Sequence, residues 1–140
     1  EPFGGILAVV DGAAAELDVA DRITLAGSAS PAQLLQYLAN CRAVCFPPFD
    51  EDYGFVTVEA FVSHKAVVTC TDSGGPAELV EHGINGFVCD PTPEALASRF
   101  RELMDDPALA ERLGQNASAR GAQLTWPDTV TQLTSLSAEA

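Results

Sequence analysis

Positive charge is what this sequence has least of. Seven Lys and Arg stand against 20 Asp and Glu, for a net charge of −13 over 140 residues. A surface that binds nucleic acid or anionic lipid needs a row of cations to neutralise phosphates, so no nucleic-acid partner is expected. No apolar run approaches the roughly 20 residues that span a bilayer. The first residues carry no basic-then-apolar targeting pattern, and the expected location is the cytoplasm. Cys41, Cys45, Cys70 and Cys89 show no C-x-x-C pairing. Three of them lie in or at the ends of apolar runs, so all four read as small buried thiols of a reducing compartment. The chain has no G-x-G-x-x-G and no Walker lysine, which argues against dinucleotide and P-loop chemistry. His64 and His82 have no nucleophile beside them in sequence and read as surface or satisfied histidines. The sequon Asn116-Ala-Ser118 carries no meaning in a cytoplasmic protein.

What remains is a globular composition, 47% hydrophobic and 19% charged, in a chain long enough for one domain with a proper core. Strand-like and helix-like segments alternate. "RITLAG" (Arg22–Gly27) alternates apolar residues and ends at a glycine, as a strand does. Ser30 and Pro31 then open a helix with Leu34, Leu35 and Leu38 on one face. "AVCF" is a short buried strand stopped by Pro47-Pro48. "GFVTVEAFVSH" reads as a helix from near Gly54, held by packing because valine is a poor helix former. "AVVTC" (Ala66–Cys70) is the next strand. Pro76 opens a short helix that Gly83 closes, and "NGFVCD" is a further strand. Helices from Thr92-Pro93, from Asp106-Pro107 and around "TWPDTVTQLTSL" complete the chain, with Trp126 as a packing anchor. The N-terminal stretch reads as one helix, roughly Ile6 to Asp18, weakened at Asp11-Gly12. Strands about every 20 residues with helices between predict an α/β domain with a Rossmann-like, doubly wound parallel sheet. Ligands sit beyond the carboxyl ends of such strands. Those ends here are 27–29, 47–54, 71–75 and 89–92.

Two motifs fall on that edge. In "CFPPFDEDYGFVTVEAF" (Cys45–Phe61), Glu51 and Glu59 bracket Gly54 and a helix start. Gly54 permits a tight turn and close approach to a ligand. The helix start offers free amides and a positive dipole end to a diphosphate. Glu51 can accept from hydroxyls on one side of that anion and Glu59 from a diol on the other. The alternative is a surface acid and a helix-dipole carboxylate. A metal reading of Asp50-x-Asp52 would need substrate phosphates to complete the shell; no metal or other cofactor is expected. In "DSGGPAEL" (Asp72–Leu79), the amides around Gly74 and Gly75 could close on a phosphate or a sugar, or form an ordinary strand-to-helix turn.

Taken in order, Glu51-x7-Glu59 around "YGF", "TDSGGPAELVEHG", "NGFVCDP" and the late Trp126 resemble the nucleotide-sugar-binding half of GT-B glycosyltransferases, most of all the retaining family 4 group (glycosyl transferases group 1). The resemblance runs from about Asp18 to Trp126. It implies that residues 1–140 are a single C-terminal donor-binding domain, one half of a GT-B enzyme truncated at its N-terminal side. The whole enzyme would be a retaining hexosyltransferase. Its donor would be a UDP-, GDP- or other nucleoside-diphosphate sugar. A missing N-terminal domain would hold a glycan, lipid-linked or small-molecule acceptor and could bring the enzyme to the inner membrane face. Glu51 would be the catalytic residue, in contact with donor-sugar hydroxyls. The backbone at Gly54, Phe55 and Val56 would meet the diphosphate, Glu59 the ribose, and Gly27 and Ser28 the base, with Gly74 and Gly75 lining the donor site. The sequence departs from the family pattern at His64 and Ala66, where glycine and proline are frequent, and no Arg or Lys stands where the family aims two at the diphosphate. The fragment alone is therefore expected to be inactive. The other readings are a GT-B nucleotide-sugar epimerase and a non-catalytic nucleotide- or partner-binding α/β domain such as a receiver. A receiver would need a lysine after a strand, and the sole lysine, Lys65, precedes one.

Overall fold

A computed structural model of the chain describes residues 13–125 together with 127, 130 and 131. They fall into two compact units, 1–36 and 37–140. In the first unit, residues 13–16 are helical and a turn closes them at Asp18, whose φ is 54°. This agrees with the expected helix end; residues 6–12 of that helix lie outside the described residues. A 3₁₀ turn follows at Ala20–Arg22. The strand expected at Arg22–Gly27 does not form. Ile23 has extended dihedrals, φ −115° and ψ 130°, but residues 23–26 join no ladder, and Ile23 and Leu25 are 42% and 41% exposed. Alternating apolar residues favour an extended backbone, whereas a strand is a pairing, which no local pattern supplies. Helix α1 (Pro31–Asn40) starts on a capping box: Gln33 N donates to Ser30 Oγ and Ser30 N donates back to Gln33 Oε1.

The second unit is built on a parallel sheet of β1 (Ala43–Cys45), β2 (Ala66–Cys70) and β3 (Gly86–Cys89), in that order. Val44 sits beside Val67, and Val68 beside Phe87. Helix α2 (Phe55–Val62) links β1 to β2, and α3 (Gly75–Leu79) links β2 to β3. Helices α4 (Pro93–Asp105) and α5 (Pro107–Gly121) follow. Every residue of β2 is buried, as a central parallel strand covered on both faces must be. Its period of two divides the core. Ala66, Val68 and Cys70 pack with Phe87, Leu103, Ala110 and Leu113 on the α4–α5 face. Val67 packs with Ala60, Phe61, Leu79, Val80 and Ala117 on the other. Both crossover helices pack on the Val67 face while the strand order advances, so the two crossovers share one hand, and parallel crossovers are right-handed as a rule.

Helix starts follow the sequence closely. Thr92 Oγ1 accepts from Ala95 N, and Asp106 Oδ1 from Leu109 N, each ahead of a proline at the first helical position. Helix α3 ends at Val80 rather than near Gly83. The cause is buried Asn85: its Oδ1 accepts from Glu81 N and its Nδ2 donates to Leu79 O, drawing the chain out of the helix. His64 has φ 59°, a left-handed position where the family's glycine would sit without strain. Its carbonyl lies against Gly114, where an added Cβ would come within 2.2 Å of His64 O. His64 Nε2 meets Ser118 Oγ at 3.2 Å and His82 Nδ1 meets the Val88 backbone, so both histidines have partners. Cys70 and Cys89 are buried, but Cys41 is half-buried and Cys45 exposed; Cys45 ends β1, which is an edge strand among the described residues. Among the described residues, no helix is long and apolar enough to cross a membrane. Pro127, Val130 and Thr131 are helical; Trp126 lies outside the described residues.

Candidate functional site

The carboxyl ends of β1 and β2 carry both motifs, and the structure joins them. Leaving β1, Phe46 still belongs to the sheet: its amide donates to Val68 O, and its carbonyl accepts from Thr69 Oγ1 at 2.8 Å. The chain swings out through Pro47, Pro48 and Phe49 and then returns. Asp50 N donates to Asp72 O at 2.9 Å, Glu51 N to Ser73 O at 3.2 Å, and Gly75 N to Glu51 O at 2.8 Å. Glu51 and Gly74 thereby form a parallel bridge beyond the end of the sheet. Buried Ser73 fixes the second loop through its Oγ, which accepts from Cys70 N.

The glycines explain how the loops come so close. Gly74 has φ 67° and ψ −128°, and a Cβ there would stand 2.5 Å from Glu51 O. A Cβ on Gly75 would stand 2.7 Å from Asp52 O and from Tyr53 Cα. Gly54, buried at φ 77°, faces the Pro76 ring, with only 2.5 Å between its would-be Cβ and Pro76 Cγ. The space beside Gly54 is thus filled by protein. Its freedom serves loop-to-loop packing, a use the sequence reading had given to a ligand. The amide of Gly75, likewise expected to face a ligand, is engaged by Glu51 O. It acts on the site by holding Glu51.

Helix α2 begins directly after Gly54, which supplies no side-chain cap, and has no acid in its first turn. Thr57 N bonds to Gly54 O, while the amides of Phe55 and Val56 belong to the group that a helix start leaves without intrahelical partners. Both residues are exposed. Glu51 and Glu59 are exposed as well, Glu59 one turn into α2. One uncapped helix start thus has a carboxylate on the loop before it and another one turn further on. Among the described residues, no group of three or more His, Cys, Asp or Glu is placed to hold a metal. Residues 46–62 and 71–79 contain no Lys or Arg, and charge on a bound anion would be met here by amides and the helix dipole alone. Gly27 and Ser28 lie in the first unit. Both are exposed, Gly27 at φ 63° with nothing within 4 Å of a would-be Cβ.

Several further participants lie outside both motifs' expected contacts. Thr69, Ser73 and Pro76 act through contacts across the sheet edge, and nothing in their spacing announces this. Thr57 is fully buried in the first turn of α2, its Oγ1 without a partner. Phe49 is 82% exposed on the Glu51 loop, and Tyr53 and Phe55 further along pair with ring centroids 4.9 Å apart; an apolar residue between Pro-Pro and three acids was the available signal.

Residues 8–120 match the family model described as "Glycosyl transferases group 1". The chain is 29% identical over 115 residues to the human alpha-1,3/1,6-mannosyltransferase ALG2, covering 82% of this chain and 27% of that protein. It is 32% identical over 128 residues to the D-inositol 3-phosphate glycosyltransferase of Corynebacterium efficiens, covering 91% and 30%. Among solved structures, the sucrose-phosphate synthase of Thermosynechococcus elongatus superposes with a TM-score of 0.80 at 26% identity, over 93% of this chain and 33% of that one. Anabaena Alr3699/HepE, in complex with UDP and glucose, also gives 0.80 at 26% identity, over 99% and 37%. The chain spans about a third of the length of these proteins.

Proposed function

Because this chain belongs to the group 1 glycosyltransferases and has the α/β fold of GT-B enzymes, we propose that it is the C-terminal, donor-binding domain of a retaining hexosyltransferase. In this reading a nucleoside-diphosphate sugar lies across the start of α2. Its diphosphate accepts from the Phe55 and Val56 amides, next to Gly54, and the helix dipole stabilises the nucleotide diphosphate as it leaves. Glu51 accepts from hydroxyls of the donor sugar, and Glu59 takes the ribose diol, since one carboxylate can accept two O–H donors. Gly74 and Gly75 hold the Glu51 loop at its height above the sheet. No metal is needed for charge neutralisation at the helix start; the cations that complete the diphosphate site come from the rest of the protein, as does the surface that holds a glycan, lipid-linked or small-molecule acceptor.

The observation that carries this reading is the bridge between Glu51 and Gly74, which sets a carboxylate beside an uncapped helix start. The neighbour solved with UDP-glucose supports a nucleotide sugar as donor. A thermal-shift panel of UDP- and GDP-sugars on the full-length protein tests it. One nucleotide sugar should raise the melting temperature, and EDTA should leave the shift unchanged. Protection that requires Mn²⁺ would move the diphosphate to a metal at Asp50 and Asp52; no protection by any nucleotide sugar would remove the donor-site reading.

A further inference from the structure

An open cavity lies at the opposite edge of the sheet, and nothing in the donor reading uses it. It has a volume of about 340 Å³ and is lined by Cys41, Arg42, His64, Lys65, Glu111 and Gln115, among others. Arg42 immediately precedes β1 and Lys65 immediately precedes β2; the strands are parallel, so both stand at their amino ends. We propose that this cavity is a binding site for a small phosphorylated polyol, of the size and chemistry of a sugar phosphate.

The charge is the first ground. In a chain of net charge −13 with seven Lys and Arg, two of the seven meet in one cavity, and the sole lysine is among them. The second ground is their anchoring. Arg42 Nη1 donates to Leu103 O and Met104 O, at 3.4 and 2.9 Å, and Lys65 Nζ donates to Ala39 O at 3.1 Å. These carbonyls end helices α4 and α1. The bonds hold two long side chains in place while using a fraction of their capacity, since a guanidinium has five N–H donors and an ammonium three. The remaining donors suit a phosphate. The floor is rigid: the His64 ring is tied to Ser118, and its carbonyl abuts Gly114.

The third ground is what stands opposite. Glu111 and Gln115 are four residues apart on α5, hence neighbours on one helix face. A lone phosphate would leave the Glu111 carboxylate facing an anion. Hydroxyls turn that carboxylate into an acceptor, which is the reason for a polyol. Asp106, the N-cap of this helix, is not among the cavity's lining residues, and its Oδ1 accepts from Leu109 N at 2.9 Å. The volume fits as well. It lies at the low end of small-molecule sites, roughly 300–1,000 Å³, room for one phosphorylated ring.

Calorimetry on the full-length protein tests the proposal, with glucose 6-phosphate, glucose and inorganic phosphate as probes and UDP at saturation as competitor. Glucose 6-phosphate should bind saturably with UDP present, inorganic phosphate more weakly, and glucose not detectably. Lys65→Gln and Arg42→Gln should each weaken glucose 6-phosphate at least about tenfold, the scale of one lost charged hydrogen bond. Lys65→Gln also removes one helix-end bond and Arg42→Gln two. Glu111→Gln touches no described hydrogen bond and provides the control for folding: it should weaken glucose 6-phosphate several-fold and leave inorganic phosphate unchanged or tighter. Displacement by UDP, wild-type affinity in the cation variants, or absence of binding at millimolar glucose 6-phosphate overturns the proposal.

Discussion

Replacing Gly74 by alanine tests the joining of the two loops more directly than any change to a charged residue. Two costs add. The first is conformational: Gly74 has φ 67° and ψ −128°, where a residue with a Cβ is strained by about 1–3 kcal/mol. The second is collision. The new methyl would lie 2.5 Å from Glu51 O and 3.0 Å from Glu51 N, and both atoms are backbone with nowhere to rotate. Relief requires the loops to part, which gives up the Gly75 N to Glu51 O and Glu51 N to Ser73 O bonds, at about 1 kcal/mol each. The expected loss is about 3–5 kcal/mol, a drop of roughly 10–20 °C in melting temperature for a domain of this size. Gly83→Ala is the matched control. Gly83 also has positive φ, 76°, but nothing lies within 4 Å of its would-be Cβ, so it should cost only the left-handed strain, about 1–2 kcal/mol. The assay is the difference in melting temperature between the two variants, read with turnover in the full-length enzyme. Gly74→Ala should be the less stable of the two and should lose most of its turnover, because Glu51 moves. Equal stability of the two variants would refute the close approach and the account of how Glu51 is held.

Three further changes probe the same edge. Glu51→Ala should cut turnover at least about tenfold, equivalent to about 1.4 kcal/mol of transition-state stabilisation, while leaving the melting temperature unchanged, since its backbone makes the bridge and its side chain is exposed; wild-type turnover would sink the catalytic assignment. Thr57→Val should raise stability by about 1 kcal/mol, because it replaces a fully buried hydroxyl that has no partner; a lowered melting temperature would show that the hydroxyl has one. Burial, with the nearby Cys89 thiol adding to it, pushes the thiols of Cys45 and Cys70 up to about 11. A raised pKa keeps the unreactive thiol form to higher pH, so alkylation of Cys45 in the folded protein, although the residue is exposed, should be roughly a hundredfold slower than for an ordinary cysteine at pH 7.5 and should accelerate only as pH passes 9–11; an ordinary rate at neutral pH would contradict that environment.

The segments that formed as read share a physical feature: their signals are local. Thr92-Pro93 and Asp106-Pro107 cap and start helices with atoms three residues away. "AVVTC" has Thr69 as its one polar side chain, whose hydroxyl bonds to Phe46 O, so it has no charged face to show solvent, and a strand buried on both sides is the consequence. "RITLAG" failed for the complementary reason, since its alternation specifies extension but no partner. The ends of α3 diverged because Asn85, a residue beyond the helix, competes for its last backbone groups.

The site divides along the same line. The order and spacing of Glu51, Gly54 and Glu59, and the alternation that puts loops at the carboxyl ends of parallel strands, are properties of the chain read from end to end, and they were enough to mark the edge and the family. That Gly74 closes on the Glu51 backbone, that Gly54 makes room for Pro76, and that Arg42 and Lys65 meet across a cavity at the far edge are relations between residues more than 20 positions apart in sequence. Spacing along a chain carries no distance across a sheet, so packing alone decided them.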